Sequence, residues 1–267
     1  KRLGELIGRD VILAPAVVGD EVERLKRGLG DGQALLLENV RFEAAETANE
    51  AEFARHMAQG IDIYVNDAFG SCHRAHSSVV AITQFVREKA AGYLLEKEVD
   101  YLGRAVHPTE KPYVAILGGA KVSDKIPVLQ SLVGKADHIL IGGAMAYTFF
   151  KAQGYDVGKS LAEDDKKELA LEILKKAQAE KVDFILPVDH LLAAAVDKAK
   201  MVFWNGPLGV FEIDRFAQGT MRIAEAVARA KGTTIVGGGD SIAALEKAGV
   251  SGKITHISTG GGASLEY

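Results

Sequence analysis

Four glycine clusters, each closing a short run of β-forming apolar residues, constrain this chain more than any other feature. They are YVAILGGAK (Tyr113–Lys121), HILIGGAM (His138–Met145), TTIVGGGDS (Thr233–Ser241) and HISTGGGAS (His256–Ser264). A short apolar run, then glycines, then amphipathic helix is the pattern of a strand feeding a helix in a parallel sheet. Three clusters lead into helix-type sequence, and the fourth has five residues after it. Glycine at a strand's carboxyl end lets the backbone approach a ligand closely and leaves the next helix's N–H groups free to meet an anion. Any one cluster can equally be a tight strand-to-helix turn; four together point to a phosphate or nucleotide site. The glycine content, 29 of 267 residues with only 6 prolines, comes from this placement and not from low-complexity sequence, which usually enriches both.

The same alternation predicts the organisation. Strands are expected at Val11–Ala14, Ala34–Glu38 and Ile61–Val65, with helices at Glu21–Gly28 and Asn49–Ala58, a polar loop Gly70–Ser78, and a long helix Gly92–Val106. His107-Pro108-Thr109-Glu110-Lys111-Pro112 reads as a linker, so the expected domains are 1–106 and 113–267. Helices are expected in the second at Val122–Val133, Ala144–Gln153, Asp164–Ala179, Asp214–Ala230 and Ser241–Ala248. Apolar residues, 48% of the chain, suffice for packed cores. Lys+Arg 32 against Asp+Glu 36 leaves a net charge of −4, which excludes the excess of base that a nucleic-acid or anionic-membrane binder needs. Cys72 is the sole cysteine, so no internal disulfide or cysteine-built zinc site is expected. No apolar run approaches the roughly 18 residues of a spanning helix. The sequence opens on Lys1 with no basic-then-apolar leader, and reads as a fragment of a protein from a reducing compartment.

Several motifs could carry chemistry. In GGAKVSDK, Lys121 sits at a helix mouth and Lys125 one turn further on; two ammonium groups there repel unless an anion lies between them. The bland alternative pairs Lys125 with Asp124. Gly158-Lys159-Ser160 imitates a P-loop, but Gln153 stands where that loop needs glycine, and the following segment is acidic. In WNGPLGVFE, Asn205-Gly206-Pro207 forces a turn, while Pro207, Leu208, Val210 and Phe211 suit a flat purine and Glu212 suits ribose hydroxyls; an ordinary loop would look similar. Asp240 is either an N-cap or a carboxylate that holds magnesium against phosphate. Arg41, Arg74 and His73, with His76 beside them, form either a cationic pocket for an oxyanion or surface groups paired with local acids. Cys72 next to His73 makes a poor nucleophile, since adjacent side chains rarely meet. No stretch fits GxGxxG with an acid about twenty residues on, which argues against a dinucleotide oxidoreductase.

Together LLLENVRF, YVNDAFGSCHRAHSS, VAILGGAKVSDKI, IGGAMAYTF, KMVFWNGPLGVFE, TTIVGGGDS and HISTGGGASLE resemble the phosphoglycerate kinase family, in family order and over nearly the whole chain. The resemblance implies an α/β protein of two Rossmann-like parallel-sheet domains joined by a hinge. It implies a cytoplasmic, monomeric glycolytic enzyme with no nucleic-acid or membrane partner. Its reaction would move a phosphoryl group between 1,3-bisphosphoglycerate and Mg-ADP, in line and after hinge closure, giving 3-phosphoglycerate and ATP. By that resemblance Arg41, Arg74 and His73 bind the phosphoglycerate. Lys121, Gly239 and Gly262 serve the transferred group. Lys125, Gly238, Gly239, Asp240 and Ser241 hold the nucleotide phosphates, Asp240 with magnesium, directly or indirectly. Gly118, Gly119, Gly142, Gly143, Pro207 and Val210 line the adenosine pocket, and Glu212 meets the ribose. The chain departs from the family by lacking the segments before Lys1 and after Tyr267 and by a short, spliced stretch between His190 and Lys198, which leaves the N-terminal domain incomplete. The alternative is therefore a non-catalytic nucleotide-binding remnant of the same fold.

Overall fold

The structure is a computed structural model that describes residues 1–187 and 191–267, with the side chains of residues 191–194 and 215 outside that description. The expected junction between His190 and Lys198 thus begins outside the described residues. The chain divides into two compact units, Lys1–Glu96 and Lys97–Tyr267. The division falls inside the continuous helix Tyr93–Val106, ahead of the proline segment 107–112. The end of that helix buries Leu102 and Ala105 in the second unit, so the segment expected as a linker belongs wholly to that unit.

In the first unit, β1 (Val11–Leu13) pairs in parallel with β2 (Ala34–Leu36), and β3 (Ile63–Asn66) pairs in parallel with β4 (Glu88–Ala91). These are separate two-stranded ribbons, and they leave apolar side chains in solvent: Leu13 is 65% exposed, and Ile63 and Val65 are each 55% exposed. The core lies beneath, where Phe53, Ala54 and Met57 of the helix Ala51–Ala58 meet Val17, Ile82 and Val86. The sequence does not predict strand β4, because Glu88-Lys89-Ala90-Ala91 has neither β-formers nor a buried face, and only its register against β3 makes it a strand. Lys26 reaches across from the helix Asp20–Arg27 and donates to the carbonyls of Met57 and Gln59, satisfying the end of Ala51–Ala58.

The second unit is built on β5 (Tyr113–Leu117), β6 (His138–Ile141), β7 (Asp183–Ile185), β8 (Met201–Asn205), β9 (Thr233–Gly237) and β10 (His256–Ile257). They form one parallel sheet in the order β10-β9-β8-β5-β6-β7. Every residue of β5 and β8 is buried, as expected of central strands covered by helices on both faces. The winding reverses between β5 and β8, which places a crevice beyond their carboxyl ends. The helix expected from Val122 opens as a 3₁₀ turn, Ser123–Lys125, before Ile126–Leu132; the one expected from Ser241 already starts at Gly239. Trp204, Val236 and Leu245 anchor the core between the sheet and the helices Asp214–Arg229 and Gly239–Lys247. Among the described residues no helix is long and apolar enough to cross a membrane.

Candidate functional site

The crevice at the winding reversal is built from glycine backbone. Gly118 follows β5 and donates its N–H to the Asn205 carbonyl at 2.9 Å, so the ends of β5 and β8 are stitched together. A Cβ on Gly118 would collide with the carbonyls of Gly206 and Pro207, and one on Gly206 would strike the Gly118 carbonyl. Gly206 also has φ +96°, a conformation that disfavours any side chain. Gly142, after β6, lies under the Leu208 side chain. These three glycines are there for close packing, and Gly118 and Gly142, expected to line the pocket, lie behind its wall instead.

That space is a cavity of ≈ 680 Å³, lined by Gly119, Gly143, Pro207, Val210, Glu212 and Asp240 among others. The structure thus brings to one place residues from the loops after β5, β6, β8 and β9. Tyr147, Phe150, Leu208 and Phe216 add apolar wall. Phe211, expected in this lip, turns instead into the core beside Val236 and Leu245, and Phe216 takes the place at the cavity. Asp240 is no N-cap: the helix Gly239–Lys247 has Gly238 at its cap, with φ +89° and no side-chain hydrogen bond, and the Asp240 carboxylate is exposed. Ser241 is wholly buried, and its Oγ accepts the Gly206 N–H at 2.7 Å, fixing the β8 turn to this helix.

Lys125 departs from the picture of two ammonium groups flanking an anion. It is buried, and its Nζ donates to Asn205 Oδ1, whereas Lys121 is exposed and makes no hydrogen bond or ion pair with a described residue. Burial pulls Lys125 down to about 8, against an upward pull from Asp124 and Asp240. The other end of the Asn205 amide, Nδ2, is buried without a partner and lies against Gly238. A buried donor left over beside a buried ammonium is an arrangement completed by an anion. Asn205 was legible in the sequence only as part of a turn.

The sequence marks Glu163 only by its place in an acidic run. In the structure it accepts from Val122 N–H at 2.6 Å, Ser123 N–H at 3.0 Å and Ser123 Oγ–H at 2.6 Å. The N–H groups expected to meet phosphate at this helix mouth are therefore already satisfied by a carboxylate. Burial pushes the Glu163 carboxyl up, but the hydrogen bonds from Ser123 and Val122 carry it below its ordinary value.

Other expected residues lie elsewhere. Gly262 lines a separate, larger cavity of ≈ 830 Å³ with Leu102, Pro127 and Tyr267. That cavity lies against the body of the sheet, at Tyr113 of β5 and Phe203 of β8, and not at the loops beyond their carboxyl ends, and it is mainly apolar, so size alone does not make it the site. In the first unit Arg41 is exposed on the 3₁₀ turn Val40–Phe42 after β2, with its N–H held by Asn39 Oδ1 at 3.0 Å. Arg74 and His73 lie in the loop after β3, where Arg74 Nε donates to His73 Nε2 at 3.2 Å. His73 Nδ1 is buried without a partner. No group of three or more His, Cys, Asp or Glu side chains among the described residues could hold a metal ion.

The family model described as Phosphoglycerate kinase matches residues 1–197 and 190–267, two stretches that meet where the sequence suggested a splice. A phosphoglycerate kinase of Anaeromyxobacter sp. (strain Fw109-5) is 52% identical over 302 aligned positions, covering all of this chain and 76% of that protein. One from Chloroherpeton thalassium is 48% identical, covering all of this chain and 77% of that protein. Among solved structures, phosphoglycerate kinase from Coxiella burnetii superposes with a TM-score of 0.86 at 36% identity, over 99% of this chain and 75% of that one. The Pyrococcus horikoshii OT3 enzyme gives 0.84 at 31% identity, over 99% of this chain and 77% of that one.

Proposed function

This chain belongs to the phosphoglycerate kinase family, and from that premise we propose that its second unit binds an adenine nucleotide in the ≈ 680 Å³ cavity beyond β5 and β8 and that its first unit binds phosphoglycerate. The observation that carries the nucleotide reading is the buried pair Lys125 and Asn205, an ammonium and an unpartnered amide donor beside the glycine loop at Gly238. In this reading Lys125, Asn205 and the N–H groups at Gly238 and Gly239 take the α- and β-phosphates. Val210, Leu208 and Pro207 face the purine, and the Glu212 carboxylate accepts from ribose hydroxyls. Arg41, Arg74 and His73 hold the acid through oxyanion-matched forks and an unpartnered imidazole nitrogen.

The reaction needs no covalent intermediate. A β-phosphate oxygen of ADP attacks the phosphorus of the acyl phosphate, the bond from phosphorus to the acyl oxygen breaks, and its electron pair leaves on the carboxylate of 3-phosphoglycerate. The protein's part is to hold the two ends in line, exclude water and neutralise the charge on the equatorial oxygens. Lys121, exposed and unpaired among the described residues, is the group free to travel with that phosphoryl. Magnesium fits this chemistry as an ion held chiefly by the nucleotide's own phosphates, with the exposed Asp240 carboxylate at the cavity to help hold it, and it would supply further charge neutralisation. Lys121→Ala tests the assignment: turnover in a coupled assay should fall by a factor of about 10² or more, while MgADP binding changes little. Retained turnover would refute the role given to Lys121.

A second reading is a binding module of the same fold without turnover. Normal rates from this polypeptide in the coupled assay would exclude it.

A further inference from the structure

Lys121 has no partner of its own among the described residues, so where its ammonium lies depends on the backbone that carries it. That backbone is fixed from a distance. Glu163 lies 41 residues beyond Val122, and its carboxylate binds the two N–H groups directly after Lys121 and the Ser123 hydroxyl. Glu163 is fixed in its turn. Its own N–H donates to Thr148 Oγ1 at 3.0 Å, and Thr148 is buried on the helix Met145–Ala152, which follows the Gly142-Gly143 loop. The neighbouring Asp164 adds an ion pair with Lys151 of that helix at 2.9 Å. Through Glu163, therefore, the turn after β5 is clamped to the helix after β6, and those two loops form one wall of the cavity.

The charge needs explaining. A carboxylate so close to a site for polyphosphate would repel the ligand if its oxygens were free. Here three donors consume them, and two of those donors are N–H groups at a helix start, which compensate negative charge best. The clamp occupies the helix mouth and leaves the lysine as the mobile cation.

We propose that Glu163 is a positioning residue for Lys121, setting the backbone from which that ammonium reaches the terminal phosphoryl group of the nucleotide. The inference rests on the reading of Lys121 given above. Because Lys121 serves the transferred group while Lys125 and Asn205 serve the phosphates common to both nucleotides, the effect of Glu163 is on ATP and not on ADP.

Calorimetric titration of the whole chain with MgATP and with MgADP tests this. Glu163→Ala should weaken MgATP by about tenfold and MgADP by less than about twofold. Glu163→Gln keeps an acceptor oxygen but cannot accept all three donors, and should fall between. In the Lys121→Ala background, Glu163→Ala should cost MgATP nothing further, since coupled residues lose their effect together. Equal weakening of both nucleotides, or a full further loss in the Lys121→Ala background, would overturn the positioning role and leave Glu163 as a general support of the pocket. If Glu163→Ala does not fold, Glu163→Gln with and without Lys121→Ala measures the same coupling. Failure of the unsubstituted chain to bind MgADP is a different result, and it would overturn the nucleotide reading itself.

Discussion

Lys125 shows how one residue can carry both a cost and a purpose. Its ammonium is buried against Asn205 and held down to about 8, so folding works against its charge. The unfolded chain keeps that proton up to the ordinary lysine range, so stability gains as pH rises from about 8 toward that range. A phosphate ligand reverses the preference by favouring the charged form. MgADP binding near pH 8 should therefore take up a fraction of a proton. Titrations in buffers of different ionisation enthalpy measure it, and an uptake of zero, or one that survives in Lys125→Met, would contradict the contact. Asn205→Ala leaves Lys125 buried without its acceptor and removes the free amide donor. It should cost roughly 1–3 kcal/mol of stability by urea unfolding and weaken MgADP as well. The sequence showed Lys125 as a candidate because of its spacing from Lys121. It could not show Asn205 as its partner, because the two are 80 residues apart and meet only where β8 lies beside β5.

At the scale of elements, two devices are open to test. The first is the contact between the ends of β5 and β8. Gly118→Ala puts a methyl into the Gly206 and Pro207 carbonyls, so it should destabilise by a few kcal/mol, as overpacking does, and abolish nucleotide binding together with stability. An alanine variant of unchanged Tm would mean that the loops are looser than this packing. The second is the attachment of the helix Tyr93–Val106. Its Glu98 is fully buried; Glu98 Oε2 lies 2.9 Å from His256 Nε2, and Oε1 accepts from the N–H and hydroxyl of Thr259 at 2.6 and 2.7 Å. The Tyr101 ring stacks on His256 with centroids 4.5 Å apart. Burial lifts the Glu98 carboxyl, but hydrogen bonds from His256, Thr259 and Ser258 bring it below its ordinary value. Its contribution is therefore complete above the ordinary carboxylate range and is lost as pH falls through the lowered value. Glu98→Ala should cost roughly 3 kcal/mol near neutrality, and the deficit should shrink on acidification; a deficit independent of pH would rule out the carboxylate as its source. The helix itself was legible from its apolar spacing, but its charged buried residue was not, since Glu98 looks like any solvated helix acid until His256 and Thr259 arrive from the far end of the chain.

At the scale of the molecule, the two units differ in how well their sheets are closed. The second has six paired strands with a fully buried centre, and the first has two ribbons with exposed apolar faces. The first unit should unfold at lower denaturant than the second. The chain's single tryptophan, Trp204, is buried in the second unit and reports on it alone, whereas far-ultraviolet circular dichroism reports on both. The dichroism curve should begin to fall before the fluorescence does. Coincident curves would show a single cooperative transition and contradict the prediction.

What the sequence determined by itself was whatever depends on local order: the α/β class, the strands that feed the glycine clusters of the second unit, and the glycine turns that mark where ligands approach. Those features follow from periodicity and from the absence of a side chain, both of which act between near neighbours. The tertiary structure decided everything that needs two distant segments to meet. It filled the helix mouth after Lys121 with Glu163, gave Lys125 to Asn205, turned Phe211 into the core, made a strand of Glu88–Ala91, and moved the division between units into a continuous helix. The reason is that hydrogen-bond partners and burial are set by strand register and sheet order, and these bring together residues 40 to 161 positions apart without leaving a trace in the spacing of either one.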